Sequence, residues 1–250
     1  IGIWAGLFLV YLYDIRRIYR ANIDRLRAGV PEEDKFHFGS IGALNSTYFA
    51  NFGAELAVVS MLPMFFYEVF RNLTYADGSQ VMTLTMAGTV AGSFAVINLV
   101  ARPLGGLISD KMGNRKRTML MYMIGITVGF FLMATIAKYP DQEGGELIPQ
   151  FNTMGWLIAS VVITMFASFF VQGAEGATFA MFPTIKKEIT GRIAGMAGAY
   201  GNVGAVTYLF IYTFTDDKTF LHILSAGAFI SLIYCAIALK EPEGAFEDEL

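Results

Sequence analysis

"NLVARPLGGLISDKMGNRKR", residues 98–117, begins in an apolar segment and ends in a cluster of positive charge. Asp110 is its first residue that reads as surface, and Arg102 lies eight residues earlier, inside the apolar part. At about 1.5 Å rise per residue, Arg102 sits roughly 12 Å below that surface, near the midplane of a hydrocarbon core about 30 Å thick. An unpaired cation at that depth costs several kcal/mol, so something must meet it. Pro103 removes the hydrogen bond to the Leu99 carbonyl and predicts a kink there. Gly105 and Gly106 admit a neighbouring backbone, and Asn98 lies one turn earlier on the same face. A guanidinium is planar, permanently charged and presents paired N–H donors, which suits a planar oxyanion. The competing reading is purely structural: an arginine paired with an intramembrane carboxylate, for which Glu55 and Glu175 are available.

The whole chain supports a membrane reading. Of its 250 residues, 55% are hydrophobic and only 16% charged, against about 25% charged in soluble domains. Its 22 Phe and 26 Gly suit closely packed membrane helices. Apolar segments long enough to span a bilayer fall at 41–69, 81–108, 118–138, 154–184, 193–214 and 219–239. An apolar run at 1–13 is too short to span and reads as the end of a helix. Fourteen of the 18 Lys and Arg residues lie in the 14–40 segment, the loops near 110 and 188, and the tail. Three (Arg71, Lys138 and Lys218) lie in the alternate loops, and the last is Arg102. The positive-inside rule therefore puts the first set, and the C-terminus, in the cytoplasm. The expected organisation is the end of a transmembrane helix at 1–13, a cytoplasmic linker at 14–40, six transmembrane helices at 41–239 and a cytoplasmic tail at 240–250. The linker has apolar residues at helical spacing between charges. It reads as an amphipathic helix on the membrane surface or as a solvated connector. "NLT" at Asn72 matches a glycosylation sequon on the outer side, a pattern common by chance.

Four further stretches stand out. In "STYFANFGAEL", residues 46–56, Tyr48, Asn51, Phe52 and Glu55 share one helix face. Such a face must line a polar cavity or a helix interface. In "MAGAYGNVGAVTYL", residues 196–209, Gly198, Gly201 and Gly204 recur at spacing three around Asn202. Close helix packing is one reading and backbone contact with a ligand the other. Gln172 and Glu175 lie in "FVQGAEGATF" among glycines. Glu55 and Glu175 are the candidates for proton coupling, with structural pairing as the alternative. Gly106, Asp110, Gly113 and Arg115 fit G-x-x-x-D-x-x-G-x-R, a gate-side loop in which Asp110 can bond helix amides or a basic group. Cys235 is alone in an apolar run, and His37 and His222 are far apart, so no metal or disulfide is expected. No nucleophile–base–metal set is visible. Neither an enzyme, a cofactor nor a nucleic-acid partner is expected.

Together these stretches resemble the major facilitator superfamily. The G-x-x-x-D-x-x-G-x-R loop is similar to its signature loop. "NLVARPLGGLISDKMG" resembles the eighth helix of its nitrate/nitrite porter branch, "YFANFGAEL" the seventh, and "AGAYGNVGAV" the glycine-rich signature of the eleventh. The resemblance implies an all-α membrane protein, the C-terminal six-helix half of a twelve-helix transporter, with an N-terminal half as its partner. It implies nitrate or nitrite as substrate, held at the midplane between two arginines, one from each half. Arg102 would be one of these, Tyr48 the hydrogen-bonding tyrosine and Phe52 an aromatic clamp. Gly198, Gly201 and Gly204 fall in the glycine-rich signature. The expected location is the plasma membrane. A carboxylate transporter and a non-transporting membrane sensor on the same fold are the alternatives.

Overall fold

The computed structural model describes residues 2–29, 38–137 and 153–241. The expected linker residues 30–37 with Lys35, residues 138–152 with Lys138, and tail residues 242–250 lie outside them. Two compact units divide the chain, residues 1–37 and 38–250.

In the first unit, helix α1 (Gly2–Ala28) runs unbroken through the expected boundary at residues 13 and 14. Its side chains are mostly exposed, among them Trp4, Phe8 and Ile18. The Arg17 guanidinium lies 5.8 Å from the centroid of the Tyr13 ring.

The second unit contains α2 (Phe38–Phe70), α3 (Leu84–Val96), α4 (Asn98–Lys111), α5 (Arg115–Ile136), α6 (Met154–Ile185), α7 (Thr190–Tyr212) and α8 (Asp217–Ala238), with a 3-10 turn at Lys187–Ile189. Helices cover all six apolar segments across the described residues. Five stretches are long and apolar enough to cross a membrane: Phe38–Phe70, Leu84–Lys111, Arg115–Ile136, Met154–Ile185 and Asp217–Ala238. Helix α7 falls short because Gly, Asn202 and Arg192 dilute its apolar content. It nevertheless packs along α2, which also meets α8, α3 and α6; α6 in turn packs on α4 and α5, and α5 on α8. Phe65, Phe66, Phe70, Phe94, Phe130, Phe182 and Phe220 are fully buried between these helices. Lipid is as apolar as they are, so packing and interhelical hydrogen bonds must hold the bundle. Ser46 Oγ donates to Ser231 Oγ at 3.0 Å, and Ser225 Oγ to the Thr127 carbonyl at 2.8 Å.

Pro103, where a kink is expected, lies inside a continuous helix. Helix α4 runs through Pro103, and the discontinuity falls at Ile97, between α3 and α4. The Phe94 carbonyl, one turn before the break, accepts from Ser168 Oγ at 2.6 Å and from Gln172 Nε2 at 3.0 Å. A carbonyl satisfied by two side chains of α6 no longer depends on a helical amide, so the ladder can open there.

Helix α5 has an unusually complete N-terminus. Gly113, at φ 59, supplies the left-handed turn before it. Asn114 Oδ1 accepts from the Arg117 amide at 2.7 Å. The carboxylate of Glu241 accepts from the Arg115 and Lys116 amides at 2.8 and 2.7 Å. Helix α8 is capped by Asp216, which accepts from the Thr219 amide at 3.0 Å and from Thr219 Oγ1 at 2.7 Å. Burial pushes the Asp216 carboxyl up, but the hydrogen bonds from Thr219 outweigh it and hold the carboxyl below its ordinary range. A depressed pKa stabilises the fold above the unfolded value and is lost as pH falls through the folded one. Asp216→Ala should therefore cost about 0.5–2 kcal/mol at neutral pH. The gap between parent and variant melting temperatures should close as pH drops below about 4. A gap independent of pH would show that the carboxylate is not the cap that matters.

Candidate functional site

The site is built where α2, α4 and α6 meet. Gly176 on α6 faces the backbone of α4 so closely that a Cβ there would strike the Arg102 carbonyl oxygen; a Cβ on Gly105 would likewise strike the Gly173 carbonyl. This glycine-lined crossing brings Arg102 beside Glu175. On the other side, α2 presents Glu55. Arg102 Nη2 donates to Glu55 Oε2 at 2.8 Å, and the same nitrogen contacts Glu175 Oε2. Asn98 Nδ2 donates to the second oxygen of Glu55 at 3.1 Å. The Glu55 and Glu175 side chains are 9% and 2% exposed, whereas that of Arg102 is 38% exposed. The carboxylates thus lie behind the guanidinium, which opens outward. Neither Nη1 nor the buried Nε of Arg102 donates a hydrogen bond to the described residues.

Arg102 opens onto a pocket of about 310 Å³ lined by Tyr48, Arg102, Glu175, Gly176 and Phe179. Two aromatic rings wall it. Tyr48 and Phe179 meet edge to face, centroids 5.4 Å apart at 70°. Phe52 stacks flat on the Tyr48 ring, 5.1 Å away at 9°. Phe52 therefore backs the pocket through Tyr48, while Phe179 lines it directly. Phe179 was not singled out in the sequence, although it stands four residues after Glu175, on the same helical face. Asn51 is fully buried; its Oδ1 accepts from the Phe52 amide and its Nδ2 has no partner among the described residues.

The glycine-rich helix contributes differently. A Cβ on Gly201 would lie 2.6 Å from Tyr48 Cδ1 and 2.8 Å from Phe52 Cδ1, and Gly204 packs on the Phe49 backbone. These two glycines seat α7 against the aromatic face of α2. Gly198 faces open space, and the exposed Asn202 donates to the Gly198 carbonyl at 2.8 Å. Neither lines the pocket.

The loop residues form a separate cluster. Arg115 Nη1 pairs with Asp110 Oδ1 at 2.8 Å and donates to Ser109 Oγ at 3.3 Å. Gly106 packs on Ala180 of α6. Glu241, absent from the sequence reading, joins this cluster from 126 residues away.

No group of three or more His, Cys, Asp or Glu able to hold a metal ion occurs among the described residues. The chemistry on offer is electrostatic: one fixed cation with unused donors, two buried carboxylates and aromatic walls.

The chain is 39% identical over 246 residues to the nitrate/nitrite transporter NrtP of Nostoc punctiforme, covering 97% of this chain and 44% of that protein. It is 28% identical over 232 residues to the high affinity nitrate transporter 2.7 of Arabidopsis thaliana, covering 85% of this chain and 43% of that protein. The chain thus spans less than half the length of these relatives. Its fold matches the xylose transporter XylE from E. coli in a partially occluded inward open conformation. The TM-score is 0.63 at 17% identity, over 86% of this chain and 52% of XylE. The profile of the Major Facilitator Superfamily matches residues 44–248. With five helices apolar enough to span a bilayer and a profile match over most of its length, the chain is an integral multi-pass membrane protein that belongs to the Major Facilitator Superfamily.

Proposed function

We propose that this chain forms the C-terminal six-helix half of a secondary transporter that moves nitrate, and nitrite, across a membrane by alternating access. One observation carries the reading: a guanidinium whose Nη1 donates to none of the described residues opens onto an aromatic-walled pocket, in a chain 39% identical to a nitrate/nitrite transporter. A flat oxyanion can take paired N–H donors in plane while Tyr48 offers a hydroxyl and Phe179 a ring edge. The partner is an N-terminal six-helix half, since superfamily sites lie between two such repeats. On this reading residues 1–13 end a preceding helix, 14–40 form a linker, 41–239 form the half itself and 240–250 a tail. The asymmetry of positive charge supports a cytoplasmic linker, signature loop and C-terminus, in the plasma membrane.

A transporter of small carboxylates is the second reading, because arginine binds these as well. Thermal melts of the two-half protein in detergent separate them. Nitrate and nitrite should raise the melting temperature, while formate and lactate at equal ionic strength should not. Stabilisation by the carboxylates and not by nitrate would overturn the assignment.

A further inference from the structure

A second pocket lies on α2 away from Arg102. It holds about 330 Å³, and its walls include Phe38, Asn45 and Phe49 of α2, Tyr200 of α7 and Tyr234 of α8. Helices α7 and α8 both pack on α2 but scarcely touch each other, which leaves a groove between them. None of the lining residues is charged. Asn45 is 2% exposed, and neither its Nδ2 nor its Oδ1 has a partner among the described residues. The next residue, Ser46, is satisfied: its Oγ donates to Ser231 Oγ at 3.0 Å. A buried amide left unmatched at both ends is costly, and it calls for a partner from outside the bundle.

The groups along this groove come in a definite order. Two cations stand at the end of the bundle where α2 begins and α8 ends. The Lys240 amide donates to Ser40 Oγ at 3.2 Å, and Lys116 Nζ donates to the Ala236 carbonyl at 2.9 Å. Glu241, at the same end, is already engaged by the Arg115 and Lys116 amides. Asn45 lies about 7.5 Å farther along α2 than Ser40, and Phe49 about 6 Å beyond that, at the helical rise. Cations, a lone amide and aromatic walls therefore succeed one another with depth. Beside the mouth, α8 exposes Ile230, Ile233 and Ile237, which in a membrane-spanning helix meet acyl chains. We propose that the groove between α7 and α8 binds a glycerophospholipid, with its phosphate near Lys240 and Lys116, an ester carbonyl accepting from Asn45 Nδ2, and an acyl chain along Phe49, Tyr200 and Tyr234. The proposal rests on the membrane-spanning fold and not on which anion is carried. A phospholipid offers phosphate, ester and hydrocarbon in the order the groove requires. Free phosphate has nothing for the apolar end. A fatty acid places hydrocarbon directly after its carboxylate and leaves Asn45 unmatched.

The test uses the two-half protein, delipidated in detergent, and two phosphatidylglycerols with the same chains, one ester-linked and one ether-linked. Native mass spectrometry counts the lipid bound during titration. The ester form should bind one site about two- to tenfold more tightly than the ether form, the range of a single hydrogen bond. Asn45→Leu, similar in size but without the amide, should abolish that preference. Before lipid is added it should melt no lower than the parent, because an unmatched buried amide has been removed. Equal affinity of the parent for the two lipids would overturn the proposal, and that comparison needs no variant. A preference that survives Asn45→Leu would place the ester contact elsewhere and overturn it too. A delipidated Asn45→Leu protein that melts well below the parent would show that Asn45 is matched within the assembled protein, by the N-terminal half, and the lipid site would fall.

Discussion

Arg102→Lys is expected to weaken nitrate binding by about 1–3 kcal/mol, the scale of a charge-assisted hydrogen bond. The geometry explains why a conservative change should cost so much. Glu55 and Glu175 both engage Nη2, which leaves Nη1 and the buried Nε without partners among the described residues. A guanidinium can therefore hold two carboxylates at one corner and still present donors elsewhere in its plane. An ammonium is a point charge with three donors on one atom. It must choose between the carboxylates and the anion. Folding should survive, because the lysine still meets the buried carboxylates. Arg102→Ala should behave differently: leaving Glu55 and Glu175 unmatched carries the penalty of a broken buried pair, about 3–5 kcal/mol. Nitrate titrations of the Lys variant, with the melting temperature of the Ala variant alongside, separate a ligand role from a structural one. Unchanged nitrate affinity in Arg102→Lys would leave Arg102 as a structural counter-ion only.

The sequence made Arg102 legible because a lone charge in an apolar segment has few innocent explanations. It also named both carboxylates, but as alternatives to an anion. The structure shows that the pairing is real and that it coexists with an open pocket, so the pairing does not by itself exclude an anion ligand. What stayed hidden depended on which faces of distant helices meet. Phe52 and Phe179 are indistinguishable as phenylalanines one turn from a polar residue. Only the packing of α6 on α2 puts Phe179 at the pocket and Phe52 behind Tyr48. The helix is interrupted at Ile97, one turn after the Phe94 carbonyl that Ser168 and Gln172 reach from more than 70 residues away. Local backbone rules see the missing proline N–H but not that tertiary acceptor. The same holds for Glu241, whose capping of α5 no local pattern announces. In the sequence the glycines of α7 suit either packing or ligand contacts. Gly201 and Gly204 pack on α2, while Gly198 faces open space.

Gly176→Ala should be among the most damaging single substitutions in the bundle, and Gly106→Ala, in the same helix pair, among the most harmless. The two positions differ only in what the added methyl would meet. At Gly176 it would strike the Arg102 carbonyl oxygen, which is helix backbone and cannot rotate away. Helices α4 and α6 must then separate, an overpacking cost of about 1–3 kcal/mol. The separation opens at the residue that carries the site, so the Arg102–Glu175 pair loosens with it. At Gly106 the methyl would lie 3.8 Å from Ala180 Cβ and 3.9 Å from the Gly176 carbonyl oxygen, ordinary contact distances. There the gain in helix propensity, up to about 1 kcal/mol, should dominate and leave the protein as stable as the parent or slightly more so. Melting temperatures of the two variants test the packing. Nitrate affinity tests its link to the site: Gly176→Ala should weaken binding even where enough protein remains folded to measure it, and Gly106→Ala should bind as the parent does. Equal stability and equal affinity in the two variants would show that the α4–α6 crossing is loose enough to absorb a methyl. The close approach of the two backbones would then not be what positions Arg102.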